Sequence, residues 1–134
     1  MTEQDMLNLL QPETDLERRL ILHPLMHEGL QWGEPRYGHP EGKVVYHIAD
    51  IFENIRRLSP PLSTKVYRQM RLITLLHDTF KYQESKQFPR DWSQHHGTLA
   101  RKFAEDFIDD KAVLDVIELP AARWWRDRAL PCHP

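Results

Sequence analysis

Apolar residues recur at steps of three and four positions along two long segments, and this spacing limits the possible folds more than any other feature. One stripe holds Val44, Val45, Ile48, Ile51, Phe52, Ile55 and Leu58, and a second holds Val66, Met70, Ile73, Leu76 and Phe80. Such spacing places apolar side chains on one face of a helix. The chain has five glycines and no long alternating run of β-branched and aromatic residues, so a sheet is not favoured. We therefore expect an all-α protein, a compact bundle of five to six helices.

Local signals predict where several helices begin and end. Thr14 and Glu17 have the spacing of a capping box at the start of one helix, which Pro24 should kink or end. Ser63 or Thr64 is expected to open the helix that carries the second apolar stripe. That helix should be the central and most buried one.

Other signals concern a loop and the last two helices. Residues 29–42 contain four Gly and two Pro, which predicts a long ordered loop. His95 and His96 stand at the start of a further amphipathic helix. The last helix is expected to begin near Asp110 and to be interrupted at Pro120.

Length and composition favour one domain. The 134 residues are the usual size of a single domain, so residues 1–134 are assigned to one. The one cysteine, Cys132, excludes an intramolecular disulfide and fits a reducing compartment. Neither a membrane span nor a signal peptide is recognisable, so we expect a soluble, cytoplasmic protein with no membrane partner. Lys plus Arg number 18 and Asp plus Glu 20, which gives no strong indication of nucleic-acid binding. Homo-oligomerisation is left open.

The segment LLHDTFKYQE, residues 75–84, ends an apolar run with two adjacent polar residues, His77 and Asp78. Neighbouring residues on a helix point about 100° apart, so at least one of the two should point into the fold. An unpaired buried polar group is costly. A divalent metal ion would satisfy the pair, because imidazole and carboxylate are common metal ligands. For this dipeptide alone, the alternative is a core histidine bonded to a backbone carbonyl, with Asp78 as a cap or surface charge.

More distant residues extend the pattern. His47 lies on the helix of the first apolar stripe, at the edge of its apolar face, and Lys81 completes the sequence H-D-x-x-K. With these residues the chain resembles the HD-domain superfamily of metal-dependent phosphohydrolases, whose first histidine, HD pair and following lysine match His47, His77, Asp78 and Lys81. The resemblance covers residues 38–119 and implies a helical bundle of the HD-domain type. The tail, residues 120–134, departs from the polar helix containing His and Asp that the resemblance leads us to expect.

The resemblance also implies a metal centre. In the family, ligands from several helices hold one or two divalent ions that bind phosphate oxygens and activate a water molecule. On this basis His47, His77 and Asp78 are predicted metal ligands, with Asp115 as the fourth. Asp127 and His96 are the alternatives for the fourth position. Mn, Fe, Zn, Co and Mg are all candidates for the ion, because mixed His/Asp sites accept several metals.

Other residues are predicted to act on the substrate. Lys81 lies one turn beyond Asp78, where its charge can meet a phosphate group. His96 is on the inward face at the start of its helix, and a helix N-terminus favours an anionic ligand. We therefore predict Asp78 and Lys81 as catalytic residues, and Lys81, His95 and His96 as contacts to the substrate.

These inferences predict a metal-dependent phosphohydrolase. A metal-activated water would hydrolyse a small phosphorylated substrate, for which a nucleotide is suggested by the resemblance alone. The alternative is a catalytically inactive HD-fold module that binds a metal or a nucleotide in signalling, and the atypical tail favours it.

Overall fold

The computed structural model describes residues 1–35, 37, 40, 42–85 and 91–119, and these residues form an all-α protein, as expected. In this part of the chain there are seven α-helices: α1 (Glu3–Leu10), α2 (Asp15–Leu22), α3 (Pro24–Gln31), α4 (Val44–Arg56), α5 (Thr64–His77), α6 (His96–Ala104) and α7 (Lys111–Glu118). Two short 3-10 turns, Lys81–Gln83 and Trp92–Gln94, lie between α5 and α6. The arrangement as an HD-type bundle stays a prediction.

Pro24 ends the first long predicted helix instead of kinking it. His23 has an extended backbone at the end of α2, and its Nδ1 accepts a hydrogen bond from the backbone N of Leu25, 3.1 Å away, at the start of α3. Pro24 occupies the first turn of α3, where a helix needs no N–H donor. This break is one reason why the described chain has seven helices instead of five to six.

The predicted loop over residues 29–42 begins too early. Helix α3 continues to Gln31, and Gly29 is buried within it. A Cβ atom at Gly29 would collide with the backbone oxygen of Thr79. The missing side chain therefore lets α3 pack directly on the chain just after α5. This contact places α3 beside the segment that follows His77 and Asp78.

Helix α5 is central, but only its second half is deeply buried. It packs against α4, α6 and α7. Leu75 and Leu76 are fully buried, whereas Val66 and Met70, in the first half, are exposed. Burial of apolar side chains is the main stabilising contribution to such a core. The core therefore holds α5 most firmly at the end where the His-Asp pair lies.

Some predictions concern regions outside the described residues. Pro120, Asp127 and the rest of the 120–134 tail belong to these regions. Among the described helices, none is both long enough and apolar enough to cross a membrane.

Candidate metal centre

Asp78 is the inward-facing member of the His-Asp pair. Helix α5 ends at His77, and Asp78 is its C-cap. The side chain of His77 is 42% exposed and that of Asp78 only 15%. A carboxylate at a helix C-terminus lies against the negative end of the helix dipole. Asp78 therefore needs cationic or hydrogen-bonding partners.

Three side chains surround one oxygen of Asp78, Oδ1. His77 Nε2 is 3.3 Å from it, His96 Nε2 is 3.4 Å and Lys81 Nζ is 3.6 Å. These partners come from α5, from the N-terminus of α6 and from the first 3-10 turn. The structure thus brings together four residues that the sequence singled out.

These partners keep Asp78 ionised. Burial raises the pKa of its carboxyl group, but the hydrogen bond to His96 and the charges of His77, Lys81 and His96 outweigh burial and hold the pKa at about 2, below the usual 3.8. Asp78 is therefore an anion near neutral pH, as a carboxylate ligand of a divalent ion must be.

His47 lies close enough to His77 to affect its charge. Burial lowers the pKa of His77, the carboxylate of Asp78 opposes this effect, and the charges of His96, Lys81 and His47 lower the pKa further. His47 is half-buried on α4, the neighbour of α5. A lowered pKa favours the neutral form of His77, which leaves one ring nitrogen able to bind a metal.

A second cluster adjoins the first and consists of Glu84, His95 and His96. Glu84 Oε1 is 3.2 Å from His96 Nδ1, 3.3 Å from the backbone N of His96 and 3.4 Å from His95 Nε2. The three side chains are mostly buried. Burial raises the pKa of Glu84, but His96 and His95 outweigh it and the pKa is lowered. Donor atoms of the three residues lie within 4.8 Å of one another, so the group could hold a metal ion.

Two pairs of donor atoms at Asp78 have the spacing of two ligands on one metal ion. Two ligand atoms about 2.1 Å from one ion in a tetrahedral arrangement are about 3.4 Å apart. The Asp78 Oδ1 distances to His77 Nε2 and His96 Nε2, 3.3 and 3.4 Å, match this separation. In the described part of the chain, however, His47, His77 and Asp78 do not form a set of three donors mutually within 4.8 Å. Their assignment as a joint ligand set stays a prediction.

His95 caps helix α6 from a buried position. Its Nδ1 accepts a hydrogen bond from the backbone N of Gly97, 3.1 Å away, and its ring centroid is 4.1 Å from that of His96. An imidazole here takes the place of the Ser, Thr, Asp or Asn that usually caps a helix. The predicted contact of His95 with substrate stays a prediction.

Asp115 lies on α7 in an ion-pair network with α6. Its Oδ1 is 2.6 Å from Arg101 Nη1, and its Oδ2 is 2.7 Å from Lys111 Nζ. The hydrogen bonds from Lys111 and Arg101 lower the pKa of Asp115. Because both oxygens have cationic partners, Asp115 would have to leave at least one of them to bind a metal. Its role as fourth ligand stays a prediction, and the alternative Asp127 is outside the described residues.

Glu84 is the site residue that the sequence did not reveal. It begins the polar segment ESKQFPRDWSQ, where a glutamate is not distinctive. It reaches His96, twelve positions away, because the start of α6 packs beside the first 3-10 turn. The one available signal was its spacing of three from Lys81, the same step as from Asp78 to Lys81.

Comparisons of the chain with protein-family models, with curated proteins and with solved structures gave no significant match. The functional interpretation therefore depends on the geometry and chemistry of the site.

Proposed function

We propose that this chain is a metal-dependent phosphohydrolase that acts on a small phosphate ester at Asp78. The main support is the surroundings of Asp78 Oδ1, where two imidazoles and one ammonium group contact a carboxylate that is ionised at neutral pH. Two imidazoles, a carboxylate and a lysine together are a suitable set for a divalent ion and a phosphate group.

Asp78 and His77 would hold the ion, with His47 and His96 adjoining. A bound divalent ion would supply an activated water molecule and stabilise charge on the phosphoryl group. The low pKa of Asp78 keeps its oxygens free of protons that would compete with the ion. The partial exposure of His77 gives an ion and a substrate a route from solvent.

Lys81 would bind the phosphate group. Its Nζ is 3.6 Å from Asp78 Oδ1, and its side chain is partly exposed, so the ammonium group borders both the carboxylate and solvent. A lysine in this position acts on phosphate as a point charge. Replacement of Lys81 by Met should therefore weaken substrate binding more than metal binding.

The test is phosphate release by the purified full chain, loaded separately with Mn²⁺, Co²⁺, Zn²⁺ and Mg²⁺. The substrates are a panel of nucleoside monophosphates and p-nitrophenyl phosphate. Asp78→Asn and His77→Ala should each reduce the rate by about 100-fold or more, the usual effect of removing a group that stabilises transition-state charge. Asp109→Asn, at an exposed position, is the control and should retain the rate. Phosphate release that survives both site substitutions would refute the assignment to Asp78.

Two observations favour a second candidate, an inactive module that binds a metal or a nucleotide. Both oxygens of Asp115 contact cations, and the donors of His47, His77 and Asp78 are not mutually within 4.8 Å in the described structure. For this candidate, the same experiment should find metal binding without phosphate release for every ion and substrate.

A further inference from the structure

His96 lies between two carboxylates, and a neutral imidazole can donate to only one of them. His96 Nδ1 is 3.2 Å from Glu84 Oε1, and His96 Nε2 is 3.4 Å from Asp78 Oδ1. A neutral ring carries a single N–H, so its other nitrogen directs a lone pair at the second carboxylate. The lone pair can meet the second carboxylate only through a second ring proton, as in the imidazolium form, or through a metal ion between the two atoms. The position of the N–H therefore decides on which side of His96 a metal ion can bind.

On the Glu84 side of His96, hydrogen-bond donors already face the carboxylate. Glu84 Oε1 is 3.3 Å from the backbone N–H of His96 and 3.4 Å from His95 Nε2. Because His95 Nδ1 accepts the N–H of Gly97, the proton of a neutral His95 ring is on Nε2, facing Glu84. A nitrogen that carries a proton has no lone pair for a metal. The spacing of Glu84, His95 and His96 would permit an ion, but their hydrogen bonds disfavour one there.

Among the described residues, no backbone N–H donates to the Asp78 carboxylate, and a second imidazole contacts it. His77 Nε2 also contacts Asp78 Oδ1, at 3.3 Å. The separation of 3.4 Å between His96 Nε2 and Asp78 Oδ1 is close to that of two ligands on one tetrahedral ion. A divalent ion would replace the proton between these two atoms and form a bond to each of them.

We infer that Glu84 is a positioning residue, which holds the proton of His96 on Nδ1 and so directs Nε2 towards a metal ion shared with Asp78. The inference rests on the proposed function only in placing the metal ion at Asp78. It gives Glu84 a role through His96, without direct contact to the ion. A carboxylate that holds the far N–H of a metal-bound histidine typically contributes about 10–100-fold to metal affinity.

Zinc binding to the full chain, labelled with ¹⁵N-histidine, tests this role. In the zinc-loaded wild type, long-range ¹H–¹⁵N spectra should show His96 protonated at Nδ1 and bound to zinc through Nε2. Glu84→Gln keeps the shape of the side chain but removes its charge. It should weaken zinc binding about 10–100-fold and leave the zinc-to-protein ratio at saturation unchanged.

The matched control is Glu105→Gln. Glu105 is exposed at the other end of α6 and pairs with Arg101, 3.3 Å away, so it should bind zinc like the wild type. Far-UV circular dichroism and urea midpoints of both variants separate a loss of fold from a loss of zinc affinity.

The outcomes separate this inference from the proposed function. Zinc on Nδ1 of His96, a lower saturation ratio in Glu84→Gln, or an unchanged zinc affinity in that variant would each overturn the role of Glu84. A wild-type chain that binds no zinc would also overturn it, and phosphate release with the other ions would then decide the function. If His96 binds zinc through Nε2 but no substrate is hydrolysed, the hydrolase proposal fails and the role of Glu84 stands.

Discussion

Replacing Arg71 with methionine should destabilise the fold by about 3–5 kcal/mol, because it leaves a buried carboxylate without its main partner. The side chains of Arg71 on α5 and Glu17 on α2 are 0% and 2% exposed. Arg71 Nε and Nη2 donate to the two carboxylate oxygens of Glu17 at 3.0 and 2.8 Å. This pair therefore ties the N-terminal helices to the helix that ends at the candidate site.

The magnitude follows from the contacts. Hydrogen bonds that involve charged groups contribute about 1.5–3 kcal/mol each, and Arg71→Met removes two of them from Glu17. Glu17 keeps one other donor, the backbone N–H of Glu13 at 3.0 Å, so the middle of the range, about 4 kcal/mol, is expected. Arg71 Nη1 is also 3.1 Å from Glu13 Oε2, in ion-pair contact but outside hydrogen-bond geometry. Methionine can fill the space over the ring of Phe52, which lies 3.9 Å from the guanidinium carbon.

Urea unfolding followed by far-UV circular dichroism measures the effect. With a slope of about 2 kcal/mol per molar urea, a loss of about 4 kcal/mol lowers the midpoint by about 2 M. Arg19→Met is the control, because Arg19 and its partner Asp15 are 60% and 83% exposed. Breaking such a surface pair should change stability by less than about 1 kcal/mol.

The double variant Arg71→Met with Glu17→Leu distinguishes a charge effect from a packing effect. Removing both charges should destabilise less than the sum of the two single changes, because no unpaired ion is left in the core. A cost of less than about 1 kcal/mol for Arg71→Met would refute this role of the Glu17 charge. A double variant whose loss equals the sum of the two single losses to within about 0.5 kcal/mol would also refute it.

Three further changes test other parts of the structure. Gly29→Ala should destabilise the fold by about 1–3 kcal/mol or more, because the new Cβ would collide with the Thr79 backbone oxygen. An unchanged thermal midpoint would contradict this packing. Because the pKa of Asp78 is lowered from 3.8 to about 2 in the folded state, its carboxylate should stabilise the metal-free protein by about 2 kcal/mol above pH 4. This contribution is lost as the pH falls towards 2, so urea unfolding at about pH 5 and about pH 2.5 should show a smaller acid-induced loss for Asp78→Asn than for the wild type. Ser63→Ala removes the cap that accepts the Val66 N–H at 3.3 Å and should cost about 1 kcal/mol in the same assay, whereas Ser63→Asn should be close to wild type.

Helix starts were predictable where capping acts within a few residues. Ser63 caps α5 through Val66, and Asp110 caps α7 by accepting the N–H groups of Ala112 and Val113 at 3.0 and 3.3 Å. The loop was predicted to begin at Gly29, which in fact lies inside α3. Its place there depends on packing against Thr79, far along the chain.

The capping box at Thr14 and Glu17 was half correct. Thr14 Oγ1 accepts the Glu17 N–H at 3.1 Å, as the pattern predicts. The carboxylate of Glu17 bonds instead to Arg71 and to the backbone N of Glu13. A local pattern identified the helix start, but a distant arginine on another helix decided which groups the Glu17 carboxylate contacts.

The candidate site also has residues that local patterns revealed and one that they did not. His77, Asp78 and His96 were recognisable from their places along helices and Lys81 from the pattern H-D-x-x-K, and the structure brings the four together. Glu84 lacks such a pattern, since its contacts depend on where the start of α6 lies in the fold.

By itself, the sequence determined that the chain is helical, where several helices begin and which polar pair ends the central helix. These properties depend on apolar spacing and capping, which act within one or two helical turns. Only the tertiary structure decided that two histidines and a lysine share one oxygen of Asp78, that Glu84 holds His96 and that Asp115 pairs with Arg101. Most of these contacts join side chains from different segments, so they exist only once α5, α6 and α7 have packed together.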